Sequence, residues 1–267
     1  MIDSGGYELI SDFDMSEPKT FTYAPKKGYG LVEYELVLKK LANQAVSLPL
    51  VISNFDHLLC GKDIMLQIKS ARTFFGKFDG CMTDFILKPW TPDSKFVDPS
   101  QMSDSDFSNL NGFDIIGVTE KELSNDIFER LKRIAKLRHR LDKVNVKVPI
   151  HIWGGLDPIM TPLYFFAGAE IFDGVSWLRY AYKDGLAINR ECYSVCSQRG
   201  VTTSRRLNHA YASLDNISAL AQMEITLQQW VDYEGKKFDM FHEPVRDSLK
   251  KAYGVMKCKI DELKGGA

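Results

Sequence analysis

VPIHIWGGLDPIMTPLYFFAGAEIFDG, residues 148–174, contains the fold in miniature. The run 148–153 is apolar but for one histidine and is followed by Gly154-Gly155. Residues 158–168 then place apolar side chains at helical spacing, and a second short apolar run, 169–173, leads into Asp173-Gly174. Strand, helix and strand in that order form the unit of a parallel sheet, because parallel neighbours need a crossover between them. The same rhythm repeats upstream. Runs at 49–55 (PLVISNF), 82–87 (MTDFIL) and 113–118 (FDIIGV) predict three more strands, and 31–44, 62–75 and 120–143 show helical spacing. Near-continuous apolar strands covered by helices belong to a parallel sheet.

Polar or glycine residues follow each expected strand, which predicts an α/β fold of the TIM-type (β/α)8 barrel class. In that fold the chemistry lies at the carboxyl ends of the strands. A Rossmann-like sheet competes, but no G-x-G-x-x-G follows a first strand. Met1-Ile2-Asp3 reads as the end of a strand with no preceding element, so the barrel is expected to lack its first strand–helix unit or to continue upstream. Residues 204–262 read as mostly helical, clearest at 217–231 and 244–262, and close a single domain over 1–267. Residues 89–111, rich in Pro, Ser and Asp, read as a long loop of the kind that covers active sites.

At 267 residues the chain can bury a sizeable core, and its 45% hydrophobic and 26% charged residues exclude a disordered polymer. A formal net charge of −1 means that attraction to a polyanion must come from a local basic patch. The five cysteines, at 60, 81, 192, 196 and 258, are scattered and odd in number; that argues against a disulfide framework and predicts a cytoplasmic protein. No apolar run reaches the roughly 18 residues of a membrane span, so no membrane partner is expected.

Two motifs bear the chemistry. Asp3-Ser4-Gly5-Gly6-Tyr7 and Phe172-Asp173-Gly174 each read as the exit from a strand, and each presents one carboxylate. Two carboxylates converging on a sugar let one attack the anomeric carbon while the other moves protons on the departing base. Capping of a following helix is the plainer role for either aspartate alone.

With these motifs in order, the chain resembles the guanine transglycosylases. These glycosyltransferases exchange guanine in a polynucleotide for a 7-deazaguanine base without breaking the backbone. The similarity spans roughly 1–230 and is concentrated in DSGGYE at 3–8, NFD at 54–56, GFDIIGV at 112–118, HIWGG at 151–155 and AGAEIFDGVSWLRYAYKDG at 167–185. The last block reads most like the archaeal-type members.

The resemblance implies a role for each matching position. Asp173 matches the nucleophile that links to the ribose, and Asp3 the acid/base; retention would follow from two inversions, with carboxyls about 5–5.5 Å apart as in retaining glycosidases. Tyr7 matches the aromatic stacked on the base, and Trp153 falls at the opposite wall, although core packing is the plainer reading of that tryptophan. Asp56 matches the carboxylate that accepts from guanine's Watson–Crick edge. Gly117, Val118 and Gly154 lie where the backbone approaches the base. Arg179 and Lys183, after the nucleophile strand, are the expected phosphate contacts. The basic stretch 130–147 reads first as a solvated helix face, and Arg199, Arg205 and Arg206 form a second basic group.

Departures from the pattern also inform. Lys88 stands where the family usually has Gln, and a lysine donates but never accepts; Glu8 likewise replaces a Gln. The zinc motif, C-x-C-x2-C with a later His, is not reproduced. Only Cys192 and Cys196 are present, with Asp215 and His209 nearby, so no cofactor or metal is expected, zinc being the alternative. With the tRNA-binding module also missing, the resemblance leans towards the DNA-modifying branch, with DNA, a 7-deazaguanine base, a helicase-like protein and a second copy of the chain as partners. A tRNA enzyme, or a silent paralogue that binds nucleic acid or a partner subunit, is the alternative.

Overall fold

The structure is a computed structural model that describes residues 1–4, 29–42, 49–56, 59, 61–91 and 93–265. Its elements, in chain order, are α1 (Leu31–Ala42), β1 (Val51–Ser53), α2 (Ile64–Phe75), β2 (Met82–Leu87), α3 (Asp104–Ser108), β3 (Ile115–Thr119), α4 (Ile127–Lys143), β4 (Ile150–Trp153), α5 (Met160–Phe166), β5 (Ile171–Phe172), α6 (Ser176–Arg179), β6 (Tyr180–Lys183), β7 (Leu186–Asn189), α7 (Tyr193–Cys196), α8 (Arg205–Asp232) and α9 (Glu243–Gly265). A five-stranded parallel sheet has the order β1-β2-β3-β4-β5, and β6 and β7 form a separate antiparallel pair. All five strands expected from the apolar runs are present. The described residues thus form an α/β fold with a parallel sheet of five strands rather than a complete barrel of eight.

The chain divides into two compact units, Met1–Glu122 with Arg140–Pro149, and Leu123–His139 with Ile150–Ala267. In the first, β1 aligns Val51 with Met82, and β2 aligns Phe85 with Ile116. Tyr34 and Leu38, one helical turn apart on α1, are its buried residues. The Tyr34 ring stacks on Phe74 of α2 with centroids 5.7 Å apart, and its hydroxyl donates to the carbonyls of Ser53 at 2.9 Å and Ile2 at 3.3 Å. Burial pushes the Tyr34 phenol well above its ordinary range; the Ser53 hydrogen bond opposes the rise and the Asp3 charge adds to it.

Ile2, read from the sequence as part of a strand end with no preceding element, forms a parallel bridge to Ile52. Its N–H donates to the Val51 carbonyl at 2.9 Å, and its carbonyl accepts from the Ser53 N–H at 3.2 Å. Tyr34 therefore ties together the exits of two neighbouring parallel segments. Tyr34→Phe is expected to lower stability by about 1–2 kcal/mol, read as a lower urea midpoint at unchanged slope.

The segment 89–111 is less open than its composition suggests. Asp98 caps a short 3-10 turn at Pro99–Gln101, and Ser103 and Asp106 form a reciprocal capping box at α3. Val97, Met102, Phe107 and Leu110 are buried. Their apolar surface holds the stretch in place, so it is a packed excursion and not a bare loop.

In the second unit, β4 and β5 pair in parallel, His151 opposite Ile171. The 204–262 region is helical as expected, in two long helices, α8 and α9. Trp230 of α8 centres an aromatic cluster, 4.4 Å from Phe166 of α5 and 5.2 Å from Tyr253 of α9. Trp230→Ala removes the largest member of that cluster. It should destabilise by about 3–5 kcal/mol, measured by chemical denaturation.

Candidate active site

The polar residues of interest follow the carboxyl ends of parallel strands. In the first unit the Ile2 bridge leads to Asp3 and Ser4, β1 to Asp56, β2 to Lys88 and β3 to Glu122. Asp3 is exposed, with its charge felt by Tyr34. Ser4 is fully buried, and its hydroxyl donates to Asp56 Oδ1 at 2.9 Å.

Lys88 closes this group. Its Nζ lies 3.1 Å from Asp56 Oδ2 and 2.7 Å from Glu122 Oε1, with its side chain only 5% exposed. The backbone of Lys88 is fixed by Gln67 of α2, which accepts from its N–H and donates to its carbonyl, both at 3.0 Å. Burial alone would lower the ammonium's pKa. The charges of Asp56 and Glu122, with hydrogen bonds to both, outweigh it and hold Lys88 above its ordinary value. Both oxygens of Asp56, the residue expected to read a guanine edge, are thus already engaged within the protein.

Gly117 and Val118 lie inside β3, opposite Ile86 and Leu87, and Val118 is completely buried. Tyr7 and Glu8 lie outside the described residues.

In the second unit Asp173 follows β5 directly. Its Oδ1 accepts from the Gly154 N–H at 2.7 Å and lies 3.5 Å from Nε2 of His151, while its side chain remains 43% exposed. No hydrogen bond engages Oδ2 among the described residues. Gly154 adopts φ +80°, and a Cβ there would meet nothing within 4 Å. Backbone conformation, rather than crowding within the protein, explains this glycine. Its N–H, expected to approach a base, is bound to the aspartate instead. Trp153 is 8% exposed, with its ring centroid 4.4 Å from that of His151; one face of the expected base wall is packed on a histidine.

The residues after Asp173 are fastened to α8. Asn216, fully buried, donates to the carbonyls of Trp177 and Tyr180 and accepts from the Tyr182 N–H. Arg190 donates to the carbonyls of Leu178 and His209 and to the Ser213 hydroxyl. Asp184 and Gly185 both have positive φ and make the turn between β6 and β7. An Asp-Gly pair suits this turn because its twist matches that of the flanking strands. Arg179 is exposed at the end of α6. Lys183 lies beside the turn, its Nζ 3.0 Å from Asp184.

Other candidates are engaged elsewhere. Asp215 accepts from the Tyr193 hydroxyl and pairs with Arg199 at 3.0 Å, and His209 lies 3.6 Å from Glu191. Among the described residues no group of three or more His, Cys, Asp or Glu side chains could hold a metal. On α4, Arg130 donates to the Ser124 carbonyl and Tyr164 hydroxyl, Arg138 faces Glu170 at 3.6 Å, and Arg140 and Lys143 pair with Asp104. Two carboxylates, Glu170 and Asp104, thus offset part of the positive charge of that stretch. A cavity of about 430 Å³ in the second unit is lined by Tyr182, Tyr193, Met223, Phe241 and Leu249; of the expected site residues only Lys183 reaches it. No helix among the described residues is long and apolar enough to cross a membrane.

Sequence reasoning did not single out Glu122, His151, Asn216 or Arg190. Glu122 carries the same signal as Asp56 and Lys88, a charged residue just past a strand, but it falls inside the stretch 120–143 that reads as helical. His151 looks like one polar residue in an apolar strand. No protein-family model matches the chain, and no curated protein matches it.

Proposed function

We propose that this protein is a guanine transglycosylase, exchanging guanine in a polynucleotide for a 7-deazaguanine base on a TIM-type barrel. The observation that carries this reading is Asp173: a half-exposed carboxylate just past a parallel strand, with one oxygen held by a backbone N–H. An aspartate so held can turn its other oxygen towards a sugar. Asp3, exposed after the Ile2 bridge, supplies the second carboxylate of the reading.

The chemistry runs in two displacements. An Asp173 oxygen bonds to the anomeric carbon of the nucleotide's sugar as the glycosidic bond breaks, its electron pair going to the departing guanine, which takes a proton from the Asp3 carboxylic acid. The incoming 7-deazaguanine gives its ring N–H proton to the Asp3 carboxylate. Its nitrogen then bonds to the anomeric carbon, and Asp173 leaves with the electron pair of the ester bond. Configuration at the sugar is retained. DNA is the preferred substrate in this proposal, with Arg179 and Lys183 along the phosphates and tRNA as the alternative. Opening a duplex to reach the base would cost a few kcal/mol, a task for a helicase-like partner.

A second reading, a silent paralogue that binds nucleic acid or a partner subunit, is favoured by Asp56. A carboxylate bonded to both Ser4 and Lys88 is not poised to accept from guanine. Radiolabelled guanine offered with DNA and, separately, with bulk tRNA decides between them, with Asp173→Ala as control. Label in DNA, lost in the variant, is the expected result; label in tRNA alone selects the alternative substrate. Label in neither favours the silent paralogue.

A further inference from the structure

We infer that His151 is a positioning residue for Asp173, holding Oδ1 together with the Gly154 N–H so that Oδ2 is the oxygen offered to the sugar. The inference rests on the transglycosylase reading for its chemistry, but its geometry stands within β4 and β5. His151 is fully buried in the strand Ile150–Trp153, between two isoleucines that are also fully buried. An aliphatic residue would fill that position at no desolvation cost, whereas a buried imidazole must find polar company. Its Nε2 faces Asp173 Oδ1 at 3.5 Å, and the Gly154 N–H meets the same oxygen at 2.7 Å. Both contacts fall on one oxygen of a carboxylate that is otherwise 43% exposed.

The arrangement restricts rotation of the carboxylate. A carboxylate free to spin about its last bond presents either oxygen, at any angle, to the sugar. The Gly154 N–H removes part of that freedom before substrate arrives, and His151 stands where its ring completes the hold on Oδ1. The 3.5 Å separation is longer than a formed hydrogen bond, and such contacts commonly tighten once substrate excludes water. Trp153 supports the ring from the side, with centroids 4.4 Å apart and planes tilted by 36°. The useful tautomer carries its proton on Nε2, which donates to Oδ1. When the second displacement returns the electron pair to Asp173, the same two donors stabilise the released carboxylate.

The test uses the full chain, His151→Phe to remove the donor while keeping a ring, and His151→Gln to restore an N–H near the Nε2 position. With radiolabelled guanine and whichever polynucleotide the wild type labels, His151→Phe should lower kcat about 10–100-fold. KM for the polynucleotide should stay within about twofold, and His151→Gln should recover much of the loss. A kcat for His151→Phe within about twofold of wild type, or equal losses in Phe and Gln variants, would overturn the role. A second readout needs no turnover. In protein labelled with ¹⁵N-histidine, Asp173→Asn should move the His151 Nε2 resonance, and an unmoved resonance overturns the contact itself. A wild type that labels neither DNA nor tRNA defeats the transglycosylase reading, while a moved resonance in that protein still supports His151 as the group that positions Asp173.

Discussion

Asp173→Asn should lower base exchange by about three orders of magnitude or more and eliminate any covalent adduct with the polynucleotide. Asparagine matches the shape of the aspartate, and its carbonyl oxygen can still accept from the Gly154 N–H, so the loss is confined to nucleophilicity. An amide oxygen carries no full negative charge, and the ester that attack would form could not arise. The side chain is half-exposed, so the substitution should change the unfolding midpoint little. Incorporation of labelled guanine and a denaturing gel for the adduct measure the two effects together. Exchange at the wild-type rate in Asp173→Asn would remove the double-displacement mechanism.

Lys88→Met should be the most destabilising substitution at the strand exits, by about 3–5 kcal/mol at neutral pH. Methionine approximates the length of the lysine stem but leaves Asp56 and Glu122 without the cation between them. Their side chains are only 10% and 18% exposed, so water replaces little of the lost interaction. The two carboxylates then repel one another in a poorly solvated place. The pH dependence follows from the same charges. In the wild type the folded pKa of Lys88 is raised, so the stability it contributes is fully present below the ordinary lysine value near about 10.4 and is lost only as pH rises through the higher folded value. Urea unfolding of both proteins at several pH values tests this, and a variant as stable as wild type at neutral pH would show that the group is solvated.

The strand exits were legible because local pattern marks them. Each apolar run of five to seven residues ended in or was followed by polar or glycine residues, so Asp56, Lys88, Gly154 and Asp173 could be placed before any packing was known. The capping chemistry at 98–106 was equally local, yet it was hidden by composition. Pro, Ser and Asp suggested an open loop, while Val97, Met102, Phe107 and Leu110 pack it down. The Asp184-Gly185 turn was also missed, although Asp-Gly between apolar stretches is a direct hairpin signal.

By itself, the sequence determined the alternation of strands and helices and the carboxylates at the strand ends. Those follow from side-chain periodicity and from turn-forming residues within a few positions of each other. Tertiary structure alone decided which groups those carboxylates meet. Asp56 is 32 residues from Lys88 and Asp173 is 22 from His151, and nothing local to either end specifies the partner. Parallel register brings such distant residues together, and only at separations of a few ångström does their charge interaction outweigh what burial takes away.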